Sequence, residues 1–385
     1  WKQINYNKIN NPKKFNIAKS QIISYSHSPF SVFEEYSCLM VYRKGINEDK
    51  WTTIFSGGYY FPYGAGIYHE PYRPNTIFLI WDEGAFGFSE QNISIGAYTS
   101  DGIHFYPSYA EPLPPETFIK QIKQFKTWPS PTSWTSDISP RTITFAVGMG
   151  KSGQPHDAGK IFKTKDGSTW KWKLIRINNE EIYPISIEIS PKDTNVIYLG
   201  VKESQNNIVK GVIKSEDGGE TWIQTPLNNE IVYDIEAVKI SPSTFGPPSI
   251  DTIYAGTNTG IYKSQNGGNS WEKIYPINVP DGLKIYSLIL DPEDNSIIYA
   301  GGWDEPLDLN KFLLSVDGGR KFFEIPHNLP NDTIKDLQID YKMPDSLFVL
   351  ISNKGIWTTQ TNWEKDQLTT SSSNSLYFNG GIKLR

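Results

Sequence analysis

Short segments in which hydrophobic and polar residues alternate recur along the chain, and each is followed by a second, more apolar segment. In the string IEISPKDTNVIYLG, residues 187–200, an alternating run leads through a turn with Pro and Asp into an apolar run. The same order recurs at 238–256, 288–301 and 337–351. Alternation with a period of two, bounded by turn residues, predicts β-strands joined by tight turns. We therefore expect antiparallel hairpins throughout these segments.

A polar turn motif follows each pair of predicted strands. It reads KSEDGGETW at 214–222, KSQNGGNSW at 263–271 and LSVDGGRKF at 314–322, with the common spacing Ser-x-Asp-x-Gly-x-x-aromatic. Shorter forms are TSDGIHF at 99–105 and TKDGSTW at 164–170. The full copies recur about every 50 residues, a period typical of stacked units such as propeller blades.

Each repeat predicts four strands. A third short strand, such as GIYKS at 260–264, enters the motif, and a fourth leaves from its aromatic residue. Four consecutive antiparallel strands form a meander, and several such sheets arranged around an axis form a β-propeller. The sequence therefore predicts an all-β fold, a β-propeller of four-stranded antiparallel blades.

The residue types of the motif suit a tight turn better than a catalytic site. Asp and Ser side chains can hydrogen-bond nearby backbone groups, Gly can adopt a positive φ, and the aromatic residue can pack between sheets. We therefore interpret the motif residues as structural. They are Asp101, Asp166, Ser215, Asp217, Gly219, Trp222, Ser264, Asn266, Gly268, Trp271, Ser315, Asp317, Gly319 and Phe322.

With these motifs at this spacing, the chain resembles the Asp-box propellers, also called bacterial neuraminidase repeat proteins, which include sialidase-like and sortilin-like members. The resemblance covers residues 66–363 and implies that the motif joins the third and fourth strands of a blade. The group contains sialidases, other glycosidases, sorting receptors and photosystem assembly factors, so the resemblance leaves the function open. Sialidases use three arginines around the substrate carboxylate. Here Arg320 lies within a motif turn and Arg385 is the last residue, and neither position suits that cluster.

Counting the repeats gives seven blades, with eight as the alternative. The segment WKQI at 1–4 is similar to a strand that leaves a motif, and LYFNGGIKLR at 376–385 is similar to the second and third strands of a repeat. We therefore expect the N- and C-terminal strands to close the ring in a shared blade. Residues 1–385 would form a single propeller domain, with the Ser/Thr-rich stretch 366–375 as a flexible connection into that blade.

The longest insertion between predicted blades covers residues 106–132. Four apolar residues between positions 118 and 125 follow a proline start at helical spacing. We expect a short helix near 115–127. Its apolar side would pack on the propeller or, alternatively, dock a partner.

Composition excludes several classes of function. A formal net charge of -5 without a Lys/Arg cluster argues against a nucleic-acid partner. The single cysteine, Cys38, excludes an internal disulfide and a cysteine zinc site, and the histidines lack the spacing of metal ligands. We expect no cofactor, no metal and no transmembrane segment in this sequence. Trp1 is compatible with a removed leader or a trimmed chain, and we expect an exported protein, extracellular, on the cell surface or periplasmic.

Antiparallel strand order divides the loops between two faces. If the motif joins strands three and four on one face, the loops between strands two and three and between blades lie on the opposite face. Long loops such as 57–66, 81–92 and 303–311 belong to these two classes and are rich in aromatic residues. Exposed aromatic patches often mark binding sites. The predicted ligand- or partner-binding residues are Tyr59, Tyr60, Tyr63, Trp81, Phe86, Phe88 and Trp303.

Two functions fit this face. Our main expectation is a non-catalytic interaction module that binds a protein partner or a glycan. The alternative is a glycoside hydrolase or lyase that acts on a polysaccharide through carboxylates beside the loop tryptophans. The candidate carboxylates are Asp82, Glu83, Asp304 and Glu305. A glycosidase needs two carboxyl groups about 5 to 10 Å apart, whereas these loops belong to separate predicted blades, which favours the non-catalytic function.

Overall fold

The computed structural model describes the chain in segments that are separated by gaps. The described residues are 2–4, 14–18, 21–29, 37–45, 52–56, 65–69, 77–81, 94–99, 106–110, 118–127, 141–149, 159–165, 169–204, 206, 210–238, 251–276, 282–340, 343–360, 368–370 and 376–378. The chain packs as two compact units. The first unit contains Trp1–Ser26, Val41–Thr53 and Glu230–Arg385, and the second contains His27–Met40 and Ile54–Asn229. The single domain expected over 1–385 stays a prediction.

All regular elements among the described residues are β-strands. Up to residue 177 they are β1 (Lys2–Gln3), β2 (Lys14–Ala18), β3 (Gln21–Pro29), β4 (Ser37–Gly45), β5 (Thr52–Ser56), β6 (Ala65–His69), β7 (Ile77–Trp81), β8 (Ser94–Thr99), β9 (Tyr106–Ala110), β10 (Phe118–Thr127), β11 (Arg141–Met149), β12 (Lys160–Thr164), β13 (Thr169–Leu174) and β14 (Arg176–Ile177).

The remaining strands continue the same pattern to residue 378. They are β15 (Glu180–Ile189), β16 (Ile197–Ser204), β17 (Gly211–Ser215), β18 (Ile223–Gln224), β19 (Val232–Ala237), β20 (Ile253–Thr257), β21 (Gly260–Ser264), β22 (Glu272–Tyr275), β23 (Leu283–Leu290), β24 (Ile298–Asp304), β25 (Leu309–Ser315), β26 (Phe323–Glu324), β27 (Ile334–Asp340), β28 (Met343–Ile351), β29 (Gly355–Gln360), β30 (Leu368–Thr370) and β31 (Leu376–Phe378).

The fold is an all-β propeller of four-stranded antiparallel blades, as predicted. Five sheets have the blade arrangement: β2–β5, β15–β18 with β14 added, β19–β22, β23–β26, and β27–β29 with β1. Strands β6–β13 instead form one eight-stranded sheet, because β13 pairs with β9 in parallel at Thr169↔Tyr109 and Trp170↔Ala110. The expected seven or eight blades are therefore wrong, since the described residues form five separate blade sheets.

The N-terminal strand completes the last blade, whereas the C-terminal strands do not. Lys2 pairs with Thr358 and Gln3 with Trp357, which adds β1 to β29 as the fourth strand. Strand β31 pairs only with β30, in a separate two-stranded sheet. The expectation of a strand in the shared blade is therefore wrong for 376–378, whereas 379–385 lie outside the described residues. The flexible connection 366–375, in which only Leu368–Thr370 is described, stays a prediction.

The helix expected near 115–127 is wrong, because Phe118–Thr127 forms strand β10. It pairs antiparallel with β11 from Phe118↔Met149 to Thr127↔Arg141, and a bulge at Lys120 interrupts the register. Helical spacing of apolar residues in a short run cannot be distinguished from a bulged strand by periodicity alone. The long partner β11 satisfies the backbone of this segment and decides the outcome.

In the blades whose side chains are described, the second strand is buried on both sides, which explains its apolar run. All five residues of β20 are buried, as are the first five residues of β24. A glycine in this strand lets the next blade approach closely. A Cβ on Gly256 would lie 2.9 Å from Cγ2 of Ile285, and one on Gly301 would lie 2.3 Å from Cγ2 of Ile334. Each glycine therefore receives an isoleucine from the first strand of the following blade.

The repeated motif forms a turn closed by its own side chains. The Ser215 hydroxyl accepts a hydrogen bond from the Gly219 backbone N–H at 2.8 Å and donates one to Asp217 at 2.8 Å. Asp217 Oδ1 accepts the backbone N–H groups of Glu220 and Thr221 at 3.0 and 2.9 Å. These contacts are typical of Ser and Asp in tight turns.

Glycine is needed in this turn because two consecutive residues adopt positive φ angles. They are 77° at Gly218 and 92° at Gly219, a conformation that is unfavourable for residues with a Cβ. The aromatic residue that ends the motif is buried in Trp222, at 7% exposure, and half-buried in Trp271.

The other two full copies repeat this geometry. The hydroxyl of Ser264 accepts the N–H of Gly268 at 2.8 Å, and that of Ser315 accepts the N–H of Gly319 at 2.9 Å. The third turn is also tied to the preceding blade of the same unit. Tyr254 Oη and Lys263 Nζ both donate to the Gly318 carbonyl, at 2.9 and 2.7 Å. The turn thus fixes both its own hairpin and its neighbour.

Candidate functional site

The first strands of several blades carry a bulge near their start. In the first unit the register of β19, β23 and β27 shifts at Tyr233, Tyr286 and Lys335, which have no cross-strand partner. The second unit has the same irregularity at Lys120 in β10 and at Ile185 in β15. A bulge re-aims the side chain that it carries. In the first unit these residues lie near the turns 258–259, 305–308 and 352–354, which we call the loop end.

At three of the five bulges, the next residue accepts a backbone N–H from the bulged strand that follows it in sequence. Asp234 Oδ2 accepts the backbone N–H of Leu288 at 2.9 Å, and the hydroxyl of Ser287 accepts that of Leu337 at 3.1 Å. In the second unit Gln121 accepts the N–H of Ile187 at 2.6 Å. The structural contact between blades is therefore made by the residue that follows the bulge.

Two tyrosines and a lysine lie together along this row. The ring centroids of Tyr233 and Tyr286 are 4.7 Å apart, with the planes inclined by 48°. The Lys335 ammonium lies 4.9 Å from the centre of the Tyr286 ring, within cation–π range. Both tyrosines are partly exposed and Lys335 is exposed. Partial burial raises the pKa of both tyrosine hydroxyl groups, so they stay protonated and can donate hydrogen bonds at neutral pH.

A lysine–carboxylate pair borders the tyrosines. Lys284 Nζ donates to Glu305 Oε1, and this hydrogen bond raises the pKa of Lys284. The Glu305 backbone N–H donates to the Gly282 carbonyl at 3.0 Å, which holds the 305–308 turn against the start of β23. The charge of Lys284 lowers the pKa of Tyr233 and Tyr286, and the charge of Glu305 raises it, although burial has the larger effect. The pair therefore places a donor and an acceptor beside the rings without adding net charge.

Asp304 has a structural role in the same loop. Its Oδ1 accepts the backbone N–H of Leu307 at 3.3 Å, and its Oδ2 lies 4.0 Å from Lys311 Nζ. Lys311 also binds Glu324 at 2.8 Å. Leu307 is 58% exposed, so the turn presents apolar surface beside the partly exposed Trp303.

A second carboxylate cluster lies at the loop end of the β19–β22 blade. Glu230 accepts hydrogen bonds from Tyr262 Oη at 3.0 Å and from Thr259 Oγ1 at 2.9 Å. Thr259 belongs to the turn between β20 and β21. The cluster fixes Glu230 at the start of the segment that leads to Tyr233.

The structure places few of the predicted binding residues. Trp303, Asp304 and Glu305 lie together at the loop end, and Trp81 is the last residue of β7. The other predicted residues of this group lie outside the described residues: Tyr59, Tyr60, Tyr63, Asp82, Glu83, Phe86 and Phe88. The same holds for the motif residues Asp101 and Asp166. No distance between the two tryptophan loops is therefore defined.

Sequence reasoning did not identify Tyr233, Tyr286, Lys284 or Lys335. The only available signal was their position one to three residues after the start of the first strand of a repeat, beside a Val or Ile. That signal becomes informative only when the bulges are known.

No group of three or more His, Cys, Asp or Glu side chains that could hold a metal ion is present among the described residues. The described segments also contain no helix long and apolar enough to span a membrane.

The fold and the repeated turns define the chain as a β-propeller. Comparison with known proteins shows which proteins it is similar to. No protein-family model matches the chain. It is 25% identical over 252 residues to a xyloglucanase of Acetivibrio thermocellus, a match that covers 57% of this chain and 29% of that protein. It is 24% identical over 196 residues to a Paenibacillus xyloglucanase, covering 44% of this chain and 18% of that one. The chain thus spans less than a third of these relatives.

Solved structures support the propeller fold. A GH74 enzyme of Niastella koreensis superposes with a TM-score of 0.56 at 15% identity, over 94% of this chain and 54% of that one. A Chaetomium thermophilum protein, Sqt1, superposes with a TM-score of 0.53 at 10% identity, over 97% of this chain and 87% of that one. At these identities the likeness concerns the fold alone.

These comparisons correct the functional prediction. The non-catalytic interaction module is wrong, because the matched curated proteins are named as xyloglucanases, and they favour the alternative, a glycoside hydrolase. A glycan ligand is consistent with these names, whereas the predicted protein partner has no support among them. The resemblance to the Asp-box, sialidase-like family is not confirmed by any of these matches.

Proposed function

We propose that this chain is a propeller portion of a glycoside hydrolase that acts on xyloglucan or a closely related polysaccharide. The observation that carries the proposal is the 25% identity over 252 residues to a curated xyloglucanase. The loop end of the first unit supports it, because aromatic rings, hydroxyl groups and carboxylates lie together there. These are the groups that bind a neutral sugar.

Hydrolysis of a glycosidic bond needs one carboxyl group to protonate the leaving oxygen and a second to activate water or attack the sugar. Asp82, Glu83, Asp304 and Glu305 stay the candidates from the sequence. A general acid usually sits in an apolar setting that retains its proton, whereas the Glu305 side chain is 52% exposed and paired with Lys284. Asp304 is engaged in its own turn. We therefore assign Glu305 to substrate binding and Asp304 to the shape of the loop, which leaves Asp82 and Glu83 for the chemistry.

We further propose that the protein acts outside the cytoplasm. A polysaccharide is too large and too polar to cross a membrane unaided, so an enzyme that cleaves it must meet it on the outer side. Fractionation of the source cells, with detection of the protein by antibody, tests this proposal. Recovery in the cytoplasmic fraction alone would contradict it.

The function is tested by incubating the purified chain with soluble xyloglucan and measuring new reducing ends. Mannan and carboxymethyl cellulose serve as comparison substrates. We expect release from xyloglucan and a loss of at least about a hundredfold in rate for Asp82→Asn or Glu83→Gln, as for removal of a group essential to proton transfer. Glu216→Gln, on the opposite, motif end of the second unit, is the matched control and should keep the full rate. Absence of any cleavage of xyloglucan, with the chain folded, would overturn the proposal.

A further inference from the structure

We propose that Tyr233 and Tyr286 form a sugar-stacking subsite in which Lys284 and Glu305 bind the hydroxyl groups of the same sugar. The inference rests on the proposed function, since it assumes a neutral polysaccharide as the ligand. It assigns the contacts to the first strands of two neighbouring blades rather than to the loops that the sequence highlights.

The fold does not require aromatic residues at these positions. The equivalent bulges of the second unit carry Lys120 and Ile185, and the third bulge of the first unit carries Lys335. Blade-to-blade contact is made instead by the following residue, as in the hydrogen bond from the Leu288 N–H to Asp234. The packing of the propeller therefore does not explain why two adjacent bulges carry tyrosine.

The geometry suits a pyranose ring. Sugars present a flat face of C–H groups, which packs on aromatic rings, and an edge of hydroxyl groups, which needs hydrogen-bond partners. The rings of Tyr233 and Tyr286 are adjacent, inclined by 48° and partly exposed, so together they offer aromatic surface to a ligand. Their hydroxyl groups, the Lys284 ammonium and the Glu305 carboxylate supply donors and an acceptor at its margin.

The charged groups of the row do not require a charged ligand. The charges of Lys284 and Glu305 cancel within one ion pair. The remaining charge, on Lys335, lies over the Tyr286 ring. A neutral glucan or xyloglucan chain can therefore bind these residues through stacking and hydrogen bonds alone.

The test replaces each tyrosine by the residue found at the equivalent bulge, Ile185. Tyr233→Ile and Tyr286→Ile preserve a large apolar side chain that a blade of this protein already tolerates, and Tyr286→Phe retains the ring. Affinity electrophoresis in gels containing xyloglucan measures binding without turnover. We expect each Ile variant to bind about tenfold more weakly and the double variant still more weakly, while Tyr286→Phe stays within about threefold of the wild type.

Trp172→Ala is the matched control, because this aromatic is partly exposed on β13, a strand outside the subsite. It should bind xyloglucan as the wild type does. Thermal unfolding of every variant verifies that the fold is kept.

The outcomes separate this inference from the proposed function. If the wild type cleaves xyloglucan and both Ile variants bind it normally, the subsite is refuted and the hydrolase function stands. If the wild type binds without cleaving and the Ile variants bind weakly, the hydrolase function is refuted and the subsite is supported. If the wild type does not bind xyloglucan detectably, the subsite is refuted. If that protein nevertheless cleaves xyloglucan, the hydrolase function stands.

Discussion

Replacing Ser215 by Ala tests whether the repeated turn is held by its serine hydroxyl. This hydroxyl is the partner of the buried Gly219 N–H at 2.8 Å and donates to Asp217 at 2.8 Å. Ser215 is only 1% exposed, so water cannot easily replace the lost group. A buried donor left without a partner costs about 1 to 3 kcal/mol, and loss of the second hydrogen bond adds about 1 kcal/mol. We expect the free energy of unfolding to fall by about 2 to 4 kcal/mol.

Urea denaturation followed by tryptophan fluorescence measures this change, provided that the free energy of unfolding falls with urea concentration at the same slope in both proteins. Hydrogen exchange adds a local reading, because the Gly219 amide should lose protection in Ser215→Ala. Ser352→Ala is the matched control. The Ser352 hydroxyl makes only a 3.4 Å contact with Asn353 in an exposed turn, and its removal should change stability by less than about 0.5 kcal/mol.

The reasoning would be refuted if Ser215→Ala and Ser352→Ala were equally mild. The chain also contains two internal replicates, because Ser264 and Ser315 make the same contact at 2.8 and 2.9 Å. Alanine at either position should have an effect of similar size. A large effect at one turn and none at the others would show that the surroundings of that turn, rather than the shared hydrogen bond, set its stability.

Three further predictions concern the same structure. Gly301→Ala should destabilise the protein by about 1 to 3 kcal/mol in urea denaturation, because the new Cβ would meet Cγ2 of Ile334, and this loss should be smaller when it is measured in an Ile334→Ala background, which lacks that atom. Tyr254→Phe should cost about 1 kcal/mol by loss of the hydrogen bond to the Gly318 carbonyl, and a variant as stable as the wild type would contradict this. The hydrogen bonds from Thr221 and its neighbours lower the pKa of Asp217 from 3.8 to about 2, so its contribution is complete above about pH 4 and is lost as the pH falls through about 2. Asp217→Asn should therefore remove part of the acid dependence of the urea midpoint between pH 5 and 2, and an unchanged pH profile would count against this.

The turns were predictable from sequence because their chemistry is local. The Ser-x-Asp-x-Gly spacing contains the side-chain hydrogen bonds that close the turn, and the positive φ at Gly219 follows from the same few residues. The alternating strands were predictable for a similar reason, since one buried and one exposed face impose a period of two.

Features that depend on pairing between distant strands were not predictable. The segment 118–127 has apolar residues at a helical spacing, and only its pairing with β11 makes it a strand. The number of blade sheets likewise depends on two residue pairs between β13 and β9, which no local pattern records.

The candidate site shows the same limit. Trp303 and Glu305 were found because aromatic and acidic residues stand out in a loop. Tyr233 and Tyr286 were missed because they lie within strands, where an aromatic residue normally indicates packing. Their exposure results from the bulge, and a bulge is defined by the register against the second strand. The sequence shows that tyrosines occur at these positions, but it does not show that their side chains are exposed.

The pairing of β1 with β29 determines the order in which the last blade can form. A side chain–backbone hydrogen bond joins Gln3 to Lys354 across 351 positions of sequence. Relative to a hairpin of about ten residues, a loop of that length is roughly five doublings longer, which adds about 3 kcal/mol of closure entropy. During synthesis at about 5 to 20 residues per second, β1 would wait roughly 20 to 70 seconds before β29 emerges. Until then β1 has no partner strand, so the newly made chain is most prone to strand exchange with another copy of itself in this interval.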